Sequence, residues 1–123
     1  MKNYIIILLS IILISCKETN SSFIESDNFN ACGVSSFSQL NWAQDLVAGK
    51  GACSQIYSGA KLTMYDYMGV KVFYFENLAS STGSCNRILY NCSGMILISA
   101  NSEQSIWTDF ENNKTNGKLI WSI

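Results

Sequence analysis

The sequence contains no histidine and no proline. Without histidine, the chain cannot assemble a Ser-His-Asp or Cys-His pair, an imidazole acid–base group or a histidine ligand to a metal. Without proline, its loops must be shaped by glycine, asparagine and serine. Much of ordinary hydrolase chemistry is therefore excluded, and we expect neither a metal nor another cofactor.

Charged residues are also sparse, at 14% of the chain. Eight Lys and Arg stand against nine Asp and Glu, which gives a formal net charge of −1. The sequence has no basic block, and this argues against nucleic acid as a partner. Abundant Ser and Asn instead predict a neutral, hydrogen-bonding surface.

The first sixteen residues form a short apolar run that ends at a cysteine. Lys2 supplies positive charge, residues 4–14 are apolar except for Ser10, and the chain becomes polar directly after Cys16. A membrane-spanning helix needs about 20 apolar residues, and this run is shorter. A basic start, a short apolar middle and a small residue before the cleavage point indicate a secretory signal peptide.

The four residues Leu13-Ile14-Ser15-Cys16 resemble the lipobox of bacterial lipoproteins, in which the cysteine is acylated and becomes the mature N-terminus. This resemblance implies that residues 1–15 are removed and that Cys16 is lipidated. Several acyl chains on one residue give stable attachment where a single chain is marginal. We therefore expect the protein in the bacterial cell envelope, held in the outer membrane through the lipid on Cys16, on its periplasmic or its surface face.

The mature chain divides into a tether and one domain. Residues 16–31 are rich in Ser, Asn and acidic side chains, and are predicted to be a lipidated flexible tether. Residues 32–123 are predicted to form a single globular domain with one modest core.

Four cysteines follow Cys16, namely Cys32, Cys53, Cys85 and Cys92. An even number in a small exported domain predicts two disulfides, whereas a zinc site would need more closely spaced pairs. Residues 86–91 are typical of a strand, which would hold Cys85 and Cys92 about 20 Å apart, too far for a disulfide. Two pairings remain open: Cys32–Cys92 with Cys53–Cys85, or Cys32–Cys85 with Cys53–Cys92.

The apolar pattern predicts an α+β domain, with one N-terminal helix packed on a small antiparallel sheet of about five strands. The helix is expected at about residues 36–48, where Ser36 and Gln39 fit a capping box. Residues 70–75 are apolar on both faces, so we expect the helix to cover one face and a loop or a partner to cover the other.

The remaining segments are predicted from alternation and turn residues. Strands are expected at 55–67, 70–75, 87–90, 95–99 and 118–123, with turns at Met68-Gly69 and Cys92-Ser93-Gly94. The spacing of Ile106, Trp107 and Phe110 permits a second short helix within 101–117. Residues 112–117, rich in Asn, are predicted to be a loop.

No constellation of catalytic or metal-ligating residues emerges from the sequence. Asp66, between Tyr65 and Tyr67 near a hairpin turn, is the most site-like acidic residue. Such a cluster could bind a sugar or a cation, but a carboxylate at a turn, flanked by strand tyrosines, is the simpler interpretation. The sequence also lacks a phosphate-binding glycine loop, a nucleophile elbow and a calcium loop.

Short motifs along residues 32–123 resemble a group of small, uncharacterised lipoproteins of Bacteroidetes-type bacteria. The group shares a Cys-Gly start, a Leu-x-Trp helix, a hairpin that ends in aromatics, a Cys/Gly turn and an Ile-Trp end. The matching segments are Cys32-Gly33, Leu40-Asn41-Trp42, Val72-Phe73-Tyr74-Phe75, Cys92-Ser93-Gly94 and Leu119-Ile120-Trp121. The resemblance implies a fold and an envelope location, and assigns no activity.

These observations predict a lipid-anchored binding or interaction module that is not an enzyme, with an envelope protein as an expected partner. The alternative is an inhibitor of a periplasmic or foreign hydrolase, such as a lysozyme or a protease. For an inhibitor, the small-residue loop from Ala79 to Ser84 is the expected contact element. An enzyme would have to work with carboxylates and tyrosines alone.

Overall fold

The computed structural model describes residues 29–80 and 83–123. The described residues do not include the lipobox with Cys16 or the part of the predicted tether at residues 16–28. The elements in chain order are α1 (Asn41–Val47), β1 (Lys61–Tyr67), β2 (Val70–Glu76), β3 (Arg87–Tyr90), β4 (Ile96–Ile98), α2 (Gln104–Asn113) and β5 (Thr115–Ser122). Short 3₁₀ turns occupy Phe37–Gln39 and Gly83–Cys85. The predicted α+β class is confirmed.

The strands form a single antiparallel sheet in the order β4-β3-β2-β1-β5. The predicted turn at Met68-Gly69 joins β1 to β2, and both of its residues have positive φ, 51° and 78°. This backbone twist is the one that two-residue hairpins favour. β5 pairs with β1, so the three-residue strand β4 forms one edge of the sheet and β5 forms the other.

Alternate residues of β2 belong to two separate cores. Phe73 and Phe75 pack on the face that α1 covers, while Val72 and Tyr74 pack with α2 on the other face. The prediction that a loop or a partner covers this second face is wrong, because α2 covers it. The sheet is therefore the middle of three layers, and the second helix, which the sequence permits within residues 101–117, packs on the face that was not expected to carry a helix.

The predicted first helix is interrupted at Leu40. The capping box of Ser36 and Gln39 is present, but it caps a 3₁₀ turn, and α1 begins only at Asn41. The carbonyl of Phe37 accepts hydrogen bonds from the Leu40 N–H (3.0 Å) and from Gln44 Nε2 (3.1 Å). Because these donors satisfy that carbonyl, the chain can bend at Leu40 while Phe37 and Leu40 both reach the core.

The fully buried side chain of Asn77 shortens the first predicted strand. Its Oδ1 accepts a hydrogen bond from the Tyr57 N–H (3.1 Å), and its Nδ2 donates to the Gln55 carbonyl (2.8 Å). These bonds satisfy backbone groups that a strand would have paired with a neighbour. Residues 55–60 therefore lie outside the sheet, contrary to the prediction, and β1 begins at Lys61.

The predicted loop at 112–117 is also wrong. α2 continues to Asn113 and β5 begins at Thr115, so Lys114 alone connects them. Asn116 adopts the left-handed region, with φ of 53°, which Asn tolerates better than most residues. Its Nδ2 donates to Asp66 Oδ2 (2.7 Å), and this hydrogen bond anchors the start of the last strand to β1.

Two disulfides connect the α1 side of the domain to the hairpin of β3 and β4. They join Cys32 to Cys92, with Cα atoms 5.3 Å apart, and Cys53 to Cys85, with Cα atoms 5.6 Å apart. This is the first of the two pairings that the sequence left open. Phe29 and Ala31 are buried, so the packed part of the chain includes the last residues of the predicted tether.

Candidate functional site

An apolar pocket of about 330 Å³ lies between α1 and the edge of the sheet formed by β3 and β4. Its larger side chains are Trp42 and Leu46 from α1, Ile88 and Tyr90 from β3, and Ile96 from β4. Lys50, Ala52, Cys53, Ser84, Cys85, Gly94 and Ser99 complete its lining. The volume is at the lower end of the range of small-molecule sites. We call it the Trp42 pocket.

A bulge in β4 directs Ile96 to this pocket. Leu89 pairs with Ile98 and Tyr90 pairs with Ile96, so Leu97 is an extra residue between the two pairs. Adjacent residues of β3 point to opposite faces of the sheet, and their partners on β4 do the same. Ile98 is consequently buried against α2, whereas Ile96 lines the Trp42 pocket and remains 52% exposed.

The Trp42 side chain is fixed by one hydrogen bond from its indole nitrogen and by contacts of its ring with two other aromatic rings. Nε1 donates to the Cys92 carbonyl (3.0 Å), and the indole packs against Phe73 and Tyr90 with ring centroids 5.4 and 5.2 Å apart. Cys92 is itself fixed by its disulfide to Cys32. A wall held in this way is already organised before a ligand arrives, which lowers the entropy lost on binding.

The turn between β3 and β4 is shaped by Asn91 and Gly94. Asn91 Oδ1 accepts hydrogen bonds from the N–H groups of Ser93 and Met95, both at 2.9 Å. Gly94 has φ of +81°, and a Cβ built there would lie 2.5 Å from Trp42 Cγ. The turn can therefore approach the indole only because residue 94 has no side chain.

We predict that Gly94→Ala destabilises the fold by about 2–4 kcal/mol, because strain from a left-handed alanine adds to overpacking against Trp42. Gly69→Ala is the matched control: its φ is +78°, but a Cβ there would meet nothing within 4 Å. We expect the control to lose only about 1 kcal/mol. Urea denaturation measures both changes, and equal losses would contradict the close approach of the turn to the indole.

The Tyr90 hydroxyl is the polar group of interest in the pocket. Tyr90 is 8% exposed, and none of the hydrogen bonds among the described residues involves its hydroxyl. A tyrosine hydroxyl is protonated at neutral pH, and burial raises the pKa of Tyr90 further, so the hydroxyl is available as a donor. An acceptor on a ligand would supply the hydrogen bond that no described residue provides.

Lys50 is the one charged residue among those that line the Trp42 pocket. Its Nζ lies 3.7 Å from Asp45 Oδ1, and both side chains are largely exposed. An exposed ion pair of this length contributes at most a few tenths of a kcal/mol. The ammonium group therefore remains free to contact a ligand.

The cluster around Asp66, which the sequence marked as site-like, is occupied by internal contacts. Asp66 Oδ1 lies 2.6 Å from Lys71 Nζ, and its hydrogen bonds to Lys71 and Asn116 lower the pKa of its carboxyl. The Tyr67 hydroxyl donates to Asp109 Oδ2 (2.6 Å) and thereby ties β1 to α2. These contacts favour the simpler interpretation, a structural carboxylate near a turn.

The predicted inhibitory loop is described only in part, because residues 81 and 82 lie outside the described residues. Leu78 and Ala79 are exposed, whereas Ser80 is buried and its N–H donates to the Asn77 carbonyl (2.9 Å). Cys85, at the other end, is held by its disulfide. Both ends of the loop are thus fixed to the domain.

Within residues 29–80 and 83–123, no group of three potential metal ligands occurs, and neither helix has the length and apolar character needed to cross a membrane. Comparison of the chain with protein-family models, with curated proteins and with solved structures finds no match. Inferences about function therefore depend on the sequence and on the geometry of the described residues.

The Trp42 pocket is not predicted by the residue patterns above, although one feature of the sequence is unusual there. Met95, Ile96 and Leu97 are three consecutive aliphatic residues directly after a turn, and all three are at least 45% exposed. Such a run in a short edge strand is unusual unless something covers it. The bulge that turns Ile96 toward Trp42 has no comparable signal in the sequence.

Proposed function

We propose that the chain is a lipid-anchored lipoprotein of the bacterial envelope whose folded domain is a non-enzymatic binding module. The Trp42 pocket is its ligand site. The observation that carries this proposal is an apolar pocket lined by Tyr90, a residue that is 8% exposed and whose hydroxyl has no hydrogen-bond partner among the described residues. The lipobox at Cys16 supports the anchor, and the likeness to Bacteroidetes-type lipoproteins supports the location.

The titratable groups of the pocket favour binding over catalysis. Tyr90 is protonated at neutral pH, and burial raises its pKa still further, so it can donate a hydrogen bond but is not ionised to act as a base. Lys50 is exposed and lies beside Asp45, with no buried environment that would make its amine a nucleophile. Both groups are suited to hold a ligand in place.

Ile96→Glu tests the proposed site, because it places a carboxylate in the pocket without disturbing a buried residue. We expect the variant to bind the fluorescent apolar probe N-phenyl-1-naphthylamine at least ten-fold more weakly than the wild type, since a desolvated charge opposes an apolar ligand. The measurement uses the mature chain with Cys16→Ala, which carries no lipid of its own.

Ile106→Glu is the matched control. Ile106 lies on α2 and is 44% exposed, close to the 52% of Ile96, but it does not line the pocket. We expect this control to bind the probe as the wild type does. Equal binding by the wild type and Ile96→Glu would contradict the assignment of the site.

A hydrolase inhibitor is the alternative, and the exposure of Leu78, at 68%, favours the region just before the loop as its contact point. Assays of lysozyme and trypsin with an equimolar amount of the mature chain distinguish the two functions. Inhibition that Leu78→Asp abolishes and Ile96→Glu retains would establish the inhibitor. Absence of inhibition together with probe binding supports the binding module.

A further inference from the structure

We infer that the ligand of the Trp42 pocket is a small amphiphilic anion, with an apolar chain or ring and a single carboxylate or similar head group. This inference rests on the proposed function and specifies its ligand. It follows from the volume of the pocket, from the chemistry of its walls and from the sign of its one charged residue.

The volume limits the apolar part of the ligand. The pocket measures about 330 Å³, and a water molecule occupies about 30 Å³ in the liquid, so the part of a ligand that the pocket encloses has on the order of ten non-hydrogen atoms. A straight-chain acid of eight carbons has this size. A full phospholipid or a folded protein segment is much larger.

The walls select an apolar body. Trp42, Leu46, Ile88 and Ile96 present aromatic and aliphatic surface, and the Cys53–Cys85 disulfide adds more. Burial of such a body gains about 25 cal/mol per Å² of apolar surface. A strongly polar ligand, such as a sugar, would leave its hydroxyls without partners along these walls.

The polar groups of the pocket favour a ligand whose head group is negatively charged or rich in hydrogen-bond acceptors. The Tyr90 hydroxyl is a donor that has no partner among the described residues, and Lys50 is one of the lining residues, which include no carboxylate. An anionic head can accept from both types of donor and gains from the charge of Lys50. A cationic head would meet Lys50 first, because the carboxylate paired with it, that of Asp45 at 3.7 Å from Lys50 Nζ, is not among the lining residues.

Trp42 reports binding directly. It is half-buried at the pocket, whereas Trp107 and Trp121 are 0% and 1% exposed. We propose titrating the mature Cys16→Ala chain with octanoate, 1-octanol and octylamine, and following tryptophan fluorescence. We expect octanoate to bind about three-fold more tightly than 1-octanol, the gain of a partly exposed ion pair, and octylamine to bind most weakly.

Lys50→Met isolates the contribution of the charge. It should remove the preference for octanoate over 1-octanol, whereas the control Lys61→Met should keep that preference. Lys61 lies on β1, paired with Glu76 at 3.0 Å, and does not line the pocket. Tyr90→Phe should weaken octanoate binding, since the pocket then lacks its buried donor.

The results of these titrations distinguish a failure of the anionic ligand from a failure of the binding site itself. Equal affinities for octanoate and 1-octanol, or a preference that survives Lys50→Met, would overturn the anionic ligand while the pocket remained a binding site. Binding of octylamine above octanoate would do the same. Failure of all three ligands and of N-phenyl-1-naphthylamine would overturn the proposed function as well.

Discussion

Replacing Cys53 and Cys85 together by alanine is expected to lower the free energy of unfolding by about 3–4 kcal/mol. The bridge joins residues 32 positions apart, and a loop of that length restricts the unfolded chain by about this amount. Each cysteine is also 5% exposed, so the change removes buried contacts. Such a loss is a large part of the stability of a small domain. Urea denaturation of the oxidised mature chain measures it.

The Cys32→Ala, Cys92→Ala double variant is the matched comparison. It should lose at least as much free energy, because its bridge closes a longer segment of 60 positions. It should also bind ligand more weakly, because without the bridge residue 92 is less firmly held, and its backbone carbonyl accepts the hydrogen bond of the Trp42 indole. An unchanged urea midpoint in the Cys53→Ala, Cys85→Ala variant would contradict the stabilising role of that bridge.

The Cys16→Ala variant is expected to lose membrane attachment. If Cys16 carries the lipid, its removal leaves no acyl chain, and each buried methylene group contributes about 0.8 kcal/mol to membrane binding. The protein should then move almost entirely from the membrane fraction to the soluble envelope fraction, as measured by fractionation and immunoblotting. Ser21→Ala, five residues further along, should stay with the membrane. Retention of Cys16→Ala in carbonate-washed membranes would contradict lipidation at this residue.

Much of the fold could be predicted from local patterns. The turns at Met68-Gly69 and around Ser93-Gly94 form where their residue types indicate, because glycine tolerates the backbone angles that such turns need. The spacing of Trp107 and Phe110 also corresponds to a real helix. Signals of this kind depend only on residues that are close together in the sequence, so a single sequence is enough to recognise them.

The errors arise where a distant residue decides the local structure. Asn77 holds residues 55–57 away from the sheet, and Asp66 anchors Asn116 across 50 positions of sequence. The second face of β2 was assigned to a loop or a partner because nothing local shows that α2 returns to cover it. In each case a contact between distant residues overrides the local pattern.

The Trp42 pocket was not predictable for the same reason. It needs the bulge at Leu97, the approach of Gly94 to the indole and the disulfide at Cys92, and none of these shows in the sequence around Trp42. Trp42 lies at the border of the core, half-buried, where its ring packs against the sheet and also lines the pocket.

The central claim is that the domain binds an apolar ligand between α1 and β4. Two-dimensional ¹H–¹⁵N correlation NMR spectra of the mature Cys16→Ala chain test it most directly. Separate spectra are recorded with octanoate, with 1-octanol and with N-phenyl-1-naphthylamine. We predict that at least one ligand shifts the indole resonance of Trp42 and the amide resonances of Ile88 and Ile96, while the indole of Trp107 on the opposite face stays unchanged. Spectra in which none of the three shifts the Trp42 indole, or in which Trp107 responds instead, would contradict the account.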